Sequence, residues 1–248
     1  MKQIKHLKLT RQDLGIGKKY IIPDIHGCFE TFNALLDKID FQKEDHLFLL
    51  GDYINRGPKS KQVIDYIIEK LNDGYQIYPL KGNHEEMAEK GLNFTENQLG
   101  EYHNLEPKYA RFMEKLYYTI ELEDALLVHA GINFKLKKPF EDIQSMLWSK
   151  KDYSRLYPTP PKRIIYGHTI KPLNTIKNEV HQQALWIPLD NGCYRKDSSN
   201  YGNLCCLELD AMELVIQKNI DDMDSWQSLR NKLLNSIKDE KGTPGVTS

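Results

Sequence analysis

Five short apolar runs end within a residue or two of a potential metal ligand: Tyr20-Ile21-Ile22, Leu47-Phe48-Leu49-Leu50, Gln76-Ile77-Tyr78-Pro79-Leu80, Ala125-Leu126-Leu127-Val128 and Arg163-Ile164-Ile165-Tyr166. Short runs that are β-branched or rich in Leu read as buried strands. Between the first three lie the three- and four-residue steps of a helix face: Phe29, Phe32, Leu35, Leu36 and Ile39, then Val63, Ile64, Ile67, Ile68 and Leu71. Strand, helix, strand, helix, strand predicts right-handed crossovers and parallel pairing. The strands' carboxyl ends then share one sheet edge, where α/β proteins place their ligands. Polar groups far apart in sequence converge there.

The segments that follow these runs are Asp24-Ile25-His26-Gly27, Gly51-Asp52-Tyr53-Ile54-Asn55-Arg56-Gly57, Gly82-Asn83-His84-Glu85, His129-Ala130-Gly131 and Gly167-His168-Thr169, with Trp148-Ser149-Lys150 a further polar segment. Their carboxylates, carboxamide and imidazoles form a mixed oxygen and nitrogen set suited to Mn, Fe or Zn. Asp24 and His26 are two residues apart, so in extended chain they point the same way and can grip one ion. Asp52 is placed to bridge to a second ion, which Asn83, His129 and His168 complete. A single strand-end histidine is as consistent with a satisfied core residue as with a ligand; six donors at successive strand ends predict a two-metal hydrolase. Glycines beside these ligands permit sharp turns and close backbone approach.

The chain resembles the phosphoprotein phosphatase family of calcineurin-like metallophosphoesterases, whose pattern is GDxHG, GDxVDRG, GNHE, a His before Ala-Gly or Gly, and a late His. The resemblance runs from about Tyr20 to about Cys193 and is nearest the bacterial serine/threonine phosphatase branch. It implies an α/β fold, the metallophosphoesterase sandwich of two mixed β-sheets flanked by helices. It also implies Asp24, His26 and Asp52 as ligands of a first ion and Asp52, Asn83, His129 and His168 as ligands of a second, with Mn the expected metal and Fe or Zn compatible. Arg56 matches the arginine that clamps phosphate, and His84 the general acid. Both roles make chemical sense alone: a guanidinium forks onto two phosphoryl oxygens, and an imidazole can protonate a leaving alkoxide. The expected reaction is direct attack of a hydroxide held between two ions, with no covalent phosphoenzyme. Cys28 lacks the C-x5-R loop of cysteine phosphatases and reads as a small buried residue.

Three positions depart from the family pattern. Pro23 replaces a Gly and should leave Asp24 free to bind. Asn55 replaces the Asp that orients and charges the catalytic His, so His84 is expected to hold its proton less tightly than in relatives. Lys150 falls where bacterial relatives often carry a second phosphate-binding Arg, and keeps the charge without the fork.

Bulk properties set the limits. At 248 residues the chain can bury one substantial core, and residues 1–240 are expected to form a single domain ahead of a flexible tail at 241–248. With 34 Lys and Arg against 35 Asp and Glu, the net charge of -1 gives no field that recruits nucleic acid or an anionic membrane. The start of the chain lacks the apolar core of a signal peptide, and the cysteines show no C-x-x-C spacing, so a cytoplasmic protein with reduced thiols is expected. His6, His46, His103 and His181 lack strand-end motifs and read as surface residues. Glu85 reads as a structural charge at a helix start.

Beyond the motifs, Leu92 to Leu116 reads as polar helical material and Lys135 to Pro161 as a loop-rich insertion. Ala184 to Asp190, Leu204 to Leu209 and Glu213 to Ile216 read as antiparallel strands of a second sheet, and Asp221 to about Lys238 as a weak amphipathic helix. The partner expected is a phosphorylated protein or a small phosphoester. The first substrate reading is phosphoserine or phosphothreonine, from the protein-phosphatase form of Gly82-Asn83-His84-Glu85. The rival is a symmetrical dinucleoside tetraphosphate, whose hydrolases usually show GNHD and share Arg-Gly-Pro with Arg56-Gly57-Pro58. A catalytically silent binding module is the third reading.

Overall fold

Successive residues of each short strand enter two different buried layers, which is why the runs are apolar throughout instead of alternating with polar residues. The computed structural model describes residues 4–92, 98–101, 104–151, 153–156, 159–195, 199–228 and 231. Its strands, in chain order, are β1 (His6–Lys8), β2 (Lys19–Ile22), β3 (His46–Leu49), β4 (Gln76–Pro79), β5 (Gly100–Glu101), β6 (Asn104–Leu105), β7 (Thr119–Glu121), β8 (Ala125–Val128), β9 (Arg163–Tyr166), β10 (Trp186–Pro188), β11 (Asn203–Glu208) and β12 (Glu213–Lys218). One mixed sheet has the order β1-β7-β8-β9-β10 and the other β12-β11-β2-β3-β4, with β5 and β6 a separate hairpin. Pro79, which offers no N–H to a ladder, sits on the edge strand β4.

The sheets pack face to face. Ile21, Phe48 and Leu50 from one and Leu127, Ile165 and Ile187 from the other share the layer between them. Tyr20, Ile22, Leu47 and Leu49 point the opposite way, against helices α1 (Phe29–Lys38) and α2 (Ser60–Asn72), which bury Phe32, Leu35, Val63 and Ile67. These helices are the crossovers that make β2, β3 and β4 parallel. Leu126, Val128 and Ile164 face a third layer with Ile132, Met146 and Leu147. After β4 comes α3 (Asn83–Glu89), and α4 (Pro107–Lys115) follows the small hairpin, so only the second half of the Leu92 to Leu116 stretch is helical where described.

Two expectations need correction. The Ala184 to Asp190 run does not join the later hairpin: β10 lies parallel to β9 at the edge of the first sheet, while β11 and β12 pair antiparallel beside β2. The cause is α5 (Leu173–His181), a helix that packs against β10 and β12 and provides the crossover that parallel pairing needs. His46 is buried, its ring nitrogens facing the Leu14 carbonyl and the Tyr78 hydroxyl, and is a satisfied core residue. The chain is helical from 223 to 228; the rest of the expected terminal helix apart from residue 231, the tail at 241–248 and His103 lie outside the described residues. No described helix is long and apolar enough to cross a membrane.

The layer between the sheets sets stability. Leu127→Ala, at a fully buried side chain, should cost about 2–5 kcal/mol in a urea melt, whereas Ile16→Ala, at a fully exposed one, should stay within about 0.5 kcal/mol. Equal losses at the two positions would contradict this packing.

Candidate active site

Three strands from each sheet end at one edge of the sandwich. Asp24 and His26 follow β2, Asp52, Asn55 and Arg56 follow β3, and Asn83 and His84 follow β4; His129, His168 and Asp190 follow β8, β9 and β10. Parallel pairing within each triplet brings these loops together across the seam between the sheets.

The donors then meet at short range. Asp52 lies between two groups: its Oδ2 is 3.7 Å from His26 Nε2 and 3.9 Å from His84 Nε2, and its Oδ1 is 3.6 Å from His129 Nε2. Asp24 Oδ2 is 3.8 Å from His26 Nε2. On the other side Asn83 Oδ1, His129 Nε2 and His168 Nδ1 form a triangle with edges of 3.0, 3.2 and 2.9 Å. His129 Nδ1 donates to the Leu50 carbonyl at 2.8 Å and His26 Nδ1 to the Ile54 carbonyl at 3.0 Å, so each presents its Nε2 lone pair to the site. The amide oxygen and the His129 nitrogen are both acceptors, and one proton on His168 cannot satisfy all three corners. A cation can, and the oxygen and nitrogen donors suit a divalent metal. Ligand atoms of His26, Asp52 and His84, and of Asp52, His129 and His168, fall within 4.8 Å of one another, so the carboxylate of Asp52 is common to both groups.

Charge balance points the same way. Asp24, Asp52 and Asp190 are nearly inaccessible to solvent. Burial raises the pKa of each; Asp190 and Asp52 push Asp24 up further, and the nearby Glu85 pushes Asp52 up. Asp190 is pushed up to about 6 by burial, against the opposing pull of the Gly192 N–H and the Arg195 charge. Burial likewise lowers His26 to about 3, His168 to about 4, and His129 well below its ordinary value, so all three are neutral and available as ligands. Cations held there would relieve the carboxylate repulsion and match the neutral imidazoles.

The backbone is bent to achieve this. His26, Asp52, Asn55, Arg56 and His168 all have φ between 50 and 71°, a left-handed conformation that costs non-glycine residues on the order of 1–3 kcal/mol each and clusters at functional sites. A Cβ on Gly82 would lie 2.1 Å from Asp52 Oδ1, and one on Gly167 would lie 2.2 Å from Asp24 Oδ1, so both positions require glycine. Glu85, fully buried, accepts the N–H groups of Asp52, Tyr53 and Gly82 at 2.8–2.9 Å. It thereby ties the loop after β3 to the start of α3, a larger structural task than capping a helix.

His84 sits beside this cluster with Nδ1 2.8 Å from Asn55 Nδ2. In this orientation the carboxamide donates, so the His84 proton is on Nε2 and faces the site; Asn55 Oδ1 has no hydrogen-bond partner among the described residues. Burial, with the His26 and Arg56 charges next, lowers His84 to about 2. Its resting form is therefore a neutral imidazole that donates a hydrogen bond from Nε2. Arg56 and Lys150 line a cleft of about 610 Å³ together with His26, Asp52, Asn83, His84 and His168.

Among the polar and aromatic residues of the cleft, Asp190, Tyr194 and Arg195 escaped sequence reasoning. Asp190 had the signal carried by the others, an acid closing an apolar run, but its strand was given to the wrong sheet. The Tyr194 ring meets His26 edge-on at 5.1 Å and supports the Arg56 guanidinium at 5.2 Å. No short motif marks it or Arg195.

Comparison with known proteins fits this geometry. Over 67 residues, 27% of this chain and 23% of the relative, the sequence is 46% identical to a symmetrical bis(5'-nucleosyl)-tetraphosphatase of Buchnera aphidicola, and 43% identical, at the same coverage, to one from Chromobacterium violaceum. The match thus spans less than a quarter of the length of these curated relatives. Among solved structures, a putative diadenosine tetraphosphatase aligns with a TM-score of 0.62 at 19% identity over 86% of this chain and 97% of that one. A Saccharomyces cerevisiae serine/threonine phosphatase similar to human PP5 aligns with a TM-score of 0.60 at 16% identity over 87% and 84%. At such identities the alignments show a shared fold. The model of the calcineurin-like phosphoesterases matches residues 18–207, most of the chain and every ligand loop described above, and the chain therefore belongs to that family.

Proposed function

We propose that the protein hydrolyses phosphate esters with two divalent ions held by Asp24, His26, Asp52, Asn83, His129 and His168. The observation that carries this reading is the triangle of Asn83, His129 and His168, closed by the Asp52 carboxylate shared with His26. Ions bound there acidify water and neutralise phosphoryl charge. Arg56 reaches over the cleft to fork onto equatorial oxygens, while Tyr194 holds the guanidinium plane. His84 presents Nε2–H to the leaving oxygen, whose growing negative charge raises the affinity of the imidazole for a proton. Asn55 fixes the tautomer that makes this donation available.

For substrate we place nucleoside polyphosphates first. Arg56, Lys150 and Arg195 surround one cleft, more positive charge than a single phosphoryl group beside two cations requires. The curated relatives are tetraphosphatases by name, which supports the same choice. Phosphoserine and phosphothreonine form the second reading, supported by the protein-phosphatase form of the Gly82 to Glu85 motif. That support is weakened by the burial of Glu85, whose carboxylate is spent on backbone N–H groups and has no route to substrate.

Diadenosine tetraphosphate and a phosphoserine and phosphothreonine peptide panel, assayed side by side on Mn-loaded protein, should show faster cleavage of the dinucleotide; exclusive cleavage of peptides reverses the order. Arg56→Ala should lower kcat/KM roughly 10- to 100-fold. Asn55→Asp places a carboxylate against His84 Nδ1 and raises its pKa from about 2, so the acid limb of kcat/KM, where neutral His84 is lost, should move up by about 1–3 pH units; an unmoved acid limb rejects the coupling of residue 55 to His84. Removing metal with EDTA should abolish turnover and lower Tm, and Mn at 100 times its Kd should restore about 2.7 kcal/mol of stability, a gain that His129→Ala should lose.

A further inference from the structure

Arg56 and Tyr194 form a wall between two hollows. On one side lies the ligand cleft; on the other lies a space of about 330 Å³ lined by Arg56, Tyr194, Met223, Gln227 and Asn231. Met223, Gln227 and Asn231 recur at intervals of four, the spacing of one helix face. Trp226 Nε1 donates to the Arg56 carbonyl at 2.9 Å and fastens this segment to the loop that carries the phosphate-facing guanidinium. The second hollow is thus built against the first and shares its two wall residues.

We propose that this second hollow holds a nucleobase of the substrate, beyond the phosphoryl groups bound in the cleft. The inference rests on the phosphoester reading of the cleft and adds to it the chemistry of the group attached to phosphate. Four features of the lining fit a neutral planar heterocycle. Tyr194 contributes an aromatic ring to the wall, and Met223 a polarisable thioether suited to contact with π systems. Gln227 and Asn231 each offer one acceptor and two donors, the set that reads the edge of a base in pairs of hydrogen bonds. Among the described residues the lining has no carboxylate, and its single cation there is the one that also faces the cleft, so these residues do not suit a second phosphate. Its volume lies at the low end of small-ligand pockets. A substrate whose scissile phosphate lies beyond Arg56 can cross the wall and seat its base with no change in the ligand cluster.

Calorimetric titration of the Mn-loaded full chain with adenosine monophosphate, ribose 5-phosphate and inorganic phosphate tests this without relying on turnover. Adenosine monophosphate should bind at least tenfold tighter than either of the other two. The double variant Gln227→Leu, Asn231→Leu should bind inorganic phosphate as the wild type does and lose the tenfold preference; the single Asn231→Ala should lose part of it. Equal affinity of the wild type for all three ligands, or a preference that survives the double variant, overturns the proposal. Preferred binding of adenosine monophosphate together with failure to cleave diadenosine tetraphosphate would keep the base site and remove that dinucleotide as substrate. Failure to bind inorganic phosphate at all would instead strike the phosphoester reading of the cleft.

Discussion

Three carboxyl groups, Asp24, Asp52 and Asp190, buried within interacting range of one another are the constraint around which the rest of this molecule is arranged. Acids in such a place repel and lose the solvation that would keep them ionised, so the edge of the sandwich is electrostatically unfavourable, a cost that the proposed cations would offset. The left-handed backbone at His26, Asp52 and His168 adds strain to repulsion. Three continuous apolar layers and the grip of Glu85 on the neighbouring N–H groups hold this arrangement together. Stability made in the layers is spent at the edge, where the chemistry needs groups that no relaxed chain would place together.

Much of this was legible in the residues. The apolar runs of β2, β3, β4, β8 and β9 coincide with the observed strands to within about a residue, because a strand buried on both faces leaves an unbroken hydrophobic signature. The proposed ligands were named from their place just beyond those runs. What escaped notice depended on tertiary context. The helix Leu173–His181 is short, and missing it sent the strand ending at Asp190 to the wrong sheet, so the acid at the sixth strand end went unrecognised. His46 looked like a surface residue because nothing in its neighbours announces that a distant carbonyl and a tyrosine will satisfy it. Tyr194 and Arg195 reach the cleft through a loop whose course no periodicity records.

The contact between Asn55 and His84 shows how a substitution can be read too simply. From sequence, exchange of a carboxylate for a carboxamide is a loss of charge. In the structure it is also a reversal of roles, since the amide nitrogen donates to Nδ1 where a carboxylate can only accept. With the amide donating to Nδ1, the imidazole carries its proton on Nε2, the nitrogen that faces the cleft.

The proposed ligands come from both sheets, four beyond β2, β3 and β4 and two beyond β8 and β9, and the second candidate ion position needs donors from each. The distance between the halves of the centre is therefore fixed by side chains such as Phe48, Leu127 and Ile165, which touch no ligand and lie in the shared apolar layer. A poorly fitting residue in that interior seam would act like a shim, sliding one half of the coordination cage against the other. Metal retention is for that reason a gauge of how well the two sheets mesh, and it should respond to defects too slight to unfold the chain.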